Sequence, residues 1–268
     1  MRAPANLSLA VLPVLLACIP QPVAWDAAVT RTPGSLTDRT RLVLEGAPLT
    51  PRFVTEWTPP AWPDEPGLCV TSRAAVVAIA GDSYASWFTA RADSSVILRV
   101  ARSEDGGRTW RAAVTADATD VGRTGCDRPA PFLAADSLNG YVHLVYHLVA
   151  REGAGLFFTH SMERGAMFHQ PVPIVYGDRP SAASVASRGD TVIVAYEDPN
   201  SRLPRLGLAL SRTQGHIFEA RIAASDESGE ARQPRVAVRD GRIALAWTAI
   251  QRGGGAPRVA MRLGTLVR

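Results

Sequence analysis

The sequence predicts an all-β body assembled from tandem repeats, and three observations carry that expectation. Three eight-residue segments, beginning at Ser103, Ser161 and Ser211, share Ser first, Gly fifth and an aromatic last; their starts lie 58 and 50 residues apart. Ahead of each runs a pair of short apolar segments separated by turn residues. No stretch sustains the 3.6-residue periodicity of an amphipathic helix.

The strands follow in register. Residues 83–88, 140–147, 190–196 and 241–247 line up as second strands, the last three behind the turns Asn139-Gly140, Gly189-Asp190 and Asp240-Gly241. Third strands fall at 96–101, 155–160, 205–210 and 258–263. Four repeats result, beginning near Cys69, Cys126, Gly177 and Ala231, the last without the eight-residue segment.

The first segment, Ser103-Glu104-Asp105-Gly106-Gly107-Arg108-Thr109-Trp110, reads S-x-D-x-G-x-T-W, with Ser103, Asp105, Gly107, Thr109 and Trp110 at the defining places. It resembles the Asp-box (BNR) motif of sialidase-like β-propellers. Weaker copies keep Ser161, Gly165 and Phe168, then Ser211, Gly215 and Phe218. The acid suits turn amides, the glycine a positive φ, and the aromatic packs back between strands. The resemblance implies a β-propeller of four, or five, four-stranded antiparallel blades with Asp-box turns, as a ring or an open fragment. It also implies that these motif residues are structural and lie away from the ligand face. Closing a ring hides sheet edges, and Arg41-Leu42-Val43-Leu44 or Arg52-Phe53-Val54 could supply the closing strand.

The chain divides into residues 1–18, 19–64 and 65–268. The first part reads as a signal peptide: Arg2, an apolar run, then Leu15-Leu16-Ala17-Cys18, which resembles a lipobox and makes Cys18 the lipidation site. Cleavage after Ala24 is the alternative. The second part, rich in Pro and Thr, reads as a tether with a possible closing strand. An exported protein is expected, anchored as a lipoprotein at the outer membrane or cell surface, or else periplasmic or secreted. Cys69 and Cys126 remain, and an oxidising compartment allows a disulfide between them; two separate buried thiols are the alternative. The net charge is +4 and all 29 basic residues are arginine, scattered without a basic block, which argues against nucleic acid.

Ligands of such propellers bind at the loops leading into each first strand. There an arginine recurs: Arg128, Arg179 and Arg232, with Arg73 near the same place in the first repeat. Arginines converging on one axis would suit a carboxylate, as in the arginine triad of sialidases; alternatively each forms a local ion pair. The Phe/Tyr-Arg-Ile-Pro motif of catalytic sialidases is absent. Glu197, Asp198, Glu230 and Tyr196 are the remaining candidates for catalysis. His143, His147, His160, His169 and His216 lie on separate segments, so neither metal nor cofactor is expected. The expected function is a surface-anchored, non-catalytic propeller that binds a glycan or protein partner. The alternatives are an exo-sialidase-like glycoside hydrolase and an assembly or scaffold factor.

Overall fold

The computed structural model describes residues 21–78, 81–225 and 229–267; the leader and Cys18 lie outside them. Every regular element among the described residues is a strand. The N-terminal part contributes β1 (Val23–Pro33), β2 (Thr40–Glu45) and β3 (Thr50–Thr55). A first sheet contains β4 (Leu68–Val77), β5 (Ser83–Ala90), β6 (Val96–Ser103) and β7 (Val114–Asp117). The second contains β8 (Phe132–Ala135), β9 (Val142–Ala150), β10 (Gly153–Ser161) and β11 (Val172–Tyr176). The third contains β12 (Ala183–Arg188), β13 (Thr191–Glu197), β14 (Leu206–Ser211) and β15 (Ala220–Ala223). The fourth contains β16 (Gly229–Arg239), β17 (Arg242–Gln251) and β18 (Arg258–Leu266), with β1 as its outermost strand.

That fourth sheet corrects the expectation about closure. Neither Arg41–Leu44 nor Arg52–Val54 completes a sheet with the C-terminus; they pair with each other as the β2–β3 hairpin. The closing strand is β1, whose Val23 pairs with Leu266 and whose Pro33 pairs with Arg258. The reason is visible in the burial pattern. Val23 is buried, with Trp25 and Val29 packed against the same core, whereas Leu42 and Leu44 turn one face of β2 onto Ala237, Ala244 and Ala246 of the fourth sheet. The stretch read as a tether therefore carries three strands.

The innermost strands pack in succession: β4 on β8, β8 on β12, β12 on β16, and β16 on β2. The core lies in layers between adjacent sheets. Tyr84, Phe88, Tyr146 and Phe157 fill the space between the first and second, Phe158, Ile174 and Val194 that between the second and third. Each such fully buried side chain contributes about 1.5–3 kcal/mol relative to exposure.

The three repeated turns share one hydrogen-bond scheme. Ser103, Ser161 and Ser211 each accept, through Oγ, the amide of the glycine four residues on, at 2.8, 3.0 and 3.1 Å. Gly107, Gly165 and Gly215 all have positive φ, where a Cβ would be strained. In the first turn Asp105 accepts the amides of Arg108 and Thr109 and the Thr109 hydroxyl. The third turn has no acid, yet Thr213 Oγ1 accepts the Ile217 amide at 2.9 Å and so takes over the same position. Cys69 and Cys126 form a disulfide with Cα atoms 5.2 Å apart, tying the start of β4 to the loop leading into β8.

Candidate functional site

A cavity of about 400 Å³ opens where the innermost strands meet. Arg41 of β2, Arg73 of β4, Phe132 of β8, Ala183 of β12 and Arg235 of β16 all line it, together with Asp38, Arg39, Glu56, Trp62 and Arg128. It sits at the lead-in ends of the first strands. The repeated turns lie at the other end, since Ser103 pairs across β5 to Ser83 and thence to Val77, the last residue of β4.

Five arginines face two carboxylates in this lining, and the protein itself neutralises them unequally. Arg235 is spent on the fold: its guanidinium donates to the carbonyls of Thr40, Pro234 and Thr37 at 2.6–2.7 Å. Burial and then the neighbouring Arg41 push its pKa down to about 10. Arg41 lies 3.6 Å above the Phe132 ring and 3.1 Å from Glu56, and burial lowers its pKa despite that partner. Its Nη1 has no hydrogen-bond partner among the described residues. Glu56 is held by its ion pair with Arg41 and accepts the Ala75 amide at 2.8 Å.

Arg73 and Arg39 differ. Arg73 lies over the Trp62 ring, 4.2 Å from its centroid, and Arg39 bonds the Thr58 hydroxyl. Neither has a carboxylate partner among the described residues. Desolvation, followed by repulsion from Arg39, lowers the Arg73 pKa. Two like charges without a carboxylate partner make a place where an anion is favoured.

Of the four recurrent arginines, the structure brings only Arg73 and Arg128 to this cavity. Arg128 is buried against Asp120, not the adjacent Asp127, with Nη2 3.2 Å from Oδ2. Arg179 is exposed and donates to the Asp198 carbonyl at 2.8 Å. Arg232 is exposed and pairs with Glu230 at 2.9 Å. The recurrent position therefore does not produce a convergent set. Arg39, Arg41 and Arg235 take those places instead.

The carboxylate and tyrosine candidates do not line the cavity either. Glu197 is buried and accepts the Gln233 amide at 2.6 Å, and burial raises its pKa. Asp198 holds its own loop through the Asn200 amide and the Ser201 hydroxyl. Tyr196 is buried, its ring pressed against Gly207, and burial raises its pKa. Sequence reasoning missed Arg39, Arg41, Glu56 and Trp62 because all four lie in the segment read as a tether. The available signal was the Arg41-Leu42-Val43-Leu44 strand pattern, which puts Arg41 on a sheet and Arg39 in the turn just before it.

The histidines also require a correction. His160, His169 and His216, read as dispersed, come together because the third sheet's repeated turn folds onto the end of the second sheet. Ring nitrogens from all three lie within 4.8 Å of one another.

No family profile matches the chain, and no curated protein matches it. Among solved structures, the chain is similar to the Hadza microbial sialidase Hz136, with TM-score 0.51, 16% identity, and coverage of 73% of this chain and 46% of that one. Similarity extends to a Trypanosoma rangeli sialidase in complex with the inhibitor DANA, with TM-score 0.46, 12% identity, and coverage of 83% and 39%. An endo-arabinase from Bacteroides thetaiotaomicron gives TM-score 0.40, 11% identity, and coverage of 72% and 74%. The chain thus spans less than half the length of either sialidase. The fold is sialidase-like, an all-β assembly of four-stranded antiparallel sheets of the propeller type.

Proposed function

We propose that the chain is a non-catalytic propeller module that binds an anionic glycan, a sugar bearing a carboxylate, in the axial cavity. The four sheets act as blades and the β2–β3 hairpin as a fifth, two-stranded one. The observation that carries this reading is the Arg39–Arg73 pair, which has no carboxylate partner among the described residues, with Arg73 set over Trp62. Arg73 offers a fork of donors to a carboxylate, and the indole offers an apolar face to a ring. Against catalysis, no tyrosine among the described residues lines the cavity, and Glu56 is already engaged by Arg41 and by the Ala75 amide. The similarity to glycan-acting proteins supports the ligand class.

The same proposal places the module at a membrane surface through Cys18. Cleavage after Ala24 would remove Val23, which is 4% exposed in the core, whereas a cut before Cys18 leaves β1 whole. An oxidised Cys69–Cys126 pair fits export.

The test is calorimetric titration with N-acetylneuraminic acid and with glucuronic acid, run beside hydrolysis of a fluorogenic sialoside. Binding of one acid is expected, weakened at least about tenfold in Arg73→Ala, since a hydrogen bond to a charged group is worth roughly 1.5–3 kcal/mol. Turnover of the sialoside, or affinity unchanged in Arg73→Ala, would overturn the proposal.

A further inference from the structure

We propose that His160, His169 and His216 bind a divalent transition metal of the zinc class, at the seam between the second and third sheets and at the opposite end from the axial cavity. Three independent features converge there. His160, the penultimate residue of β10, is buried, and its Nε2 has no hydrogen-bond partner among the described residues. A buried, unpaired ring nitrogen costs roughly 1–3 kcal/mol. A metal would satisfy it.

His216 is exposed on the third repeated turn, and its Nδ1 lies 2.7 Å from the Thr213 carbonyl oxygen. A carbonyl only accepts, so Nδ1 is the donor, and in the neutral ring the lone pair lies on Nε2. That is the tautomer of a metal-ligating imidazole, with the backbone carbonyl as its orienting partner. His169 is fixed by its main chain: its amide donates to the His160 carbonyl at 2.9 Å, and its own carbonyl accepts the Thr159 hydroxyl at 2.6 Å. The His160 ring centroid stands 4.5 Å from those of both His169 and His216.

The donor set decides the metal class. Three imidazoles without a carboxylate suit zinc, copper or nickel, whereas calcium and magnesium take oxygen ligands. Three protein ligands leave a fourth position toward solvent, on the side of exposed His216. Nitrogens on a shell of about 2.0–2.1 Å radius stand roughly 3.4 Å apart, so imidazole nitrogens spread over as much as 4.8 Å must draw together by up to about 1.4 Å.

The experiment is titration of the metal-stripped full chain with zinc chloride, read by calorimetry and thermal melting, with cobalt(II) absorption reporting coordination. Binding of one zinc per chain is expected, with Tm raised by about 5–10 °C at a hundredfold excess over Kd. His216→Ala and His169→Ala, which remove side chains that are exposed or half-buried, should each weaken binding at least about tenfold, the lower bound for losing a mere orienting partner. Absence of heat and Tm shift at millimolar zinc, or equal affinity in His216→Ala, would overturn the proposal.

Discussion

Replacing Arg128 with Ala is expected to cost about 3–5 kcal/mol of folding stability and to leave axial-cavity binding within about twofold. The pair it forms with Asp120 is sealed from water, the two side chains being 2% and 1% exposed. Asp120 also accepts the amides of Val96 and Val149, so one carboxylate joins the first sheet to the second. Arg128 adds hydrogen bonds to the Gly125 carbonyl and the Thr124 hydroxyl, and lies over Phe88. Removing the guanidinium strands a buried negative charge, and that term dominates. Against a total stability of roughly 5–15 kcal/mol the loss is large, equivalent to a Tm fall of about 6–20 °C. Arg128→Met keeps the stem against Phe88 and should recover only about 1 kcal/mol, the packing share. Urea unfolding at pH 7 measures both variants. A stability within about 1 kcal/mol of the parent, with ligand affinity lost, would refute the structural assignment and put the guanidinium on the ligand.

Two further outcomes are expected. Cys69→Ser/Cys126→Ser opens a loop of 57 residues, for which chain entropy gives about 4 kcal/mol, so calorimetry should show a Tm lower by about 8–16 °C; an unchanged Tm would mean the bridge closes nothing in solution. Acid should destabilise the protein partly through His143, whose pKa is pushed down to about 3 by burial, then by His160 and His216. The unfolded chain binds its proton below about pH 6.5 and the folded one does not until about pH 3, so stability is full above 6.5 and falls as pH drops through that window. The slope per such group is about 1.36 kcal/mol per pH unit, and His143→Phe should remove one group's share from urea melts run in chelator between pH 6 and 4.5; identical slopes would sink the assignment.

How much of this was legible in the sequence depends on whether the signal was local. The repeated turns were, because Ser, Gly and an aromatic at fixed spacing satisfy one another within eight residues. Their weakest copy was under-read, since a hydroxyl at Thr213 does what a carboxylate does at Asp105. The disulfide was legible through its one-repeat spacing. The axial arginines were not, because Arg41 meets Arg235 only after the hairpin docks on the fourth sheet, and composition alone made that hairpin look like linker. The histidines failed for the same reason: 160, 169 and 216 are brought together by the seam between two sheets.

The strand that closes the fourth sheet has a kinetic consequence. Val23 and Leu266 are 243 positions apart, so the strand nearest the N-terminus must wait for the one nearest the C-terminus. Until then both β1 and the edge of β18 stay unpaired, and contacts of such long range are slow to form. Because the Val267 amide donates to the Pro22 carbonyl at 3.0 Å, a short linker could join these two ends. A circular permutant opened between β3 and β4 would then make every sheet from strands that are consecutive in the chain, turning the slowest pairing of this protein into a hairpin.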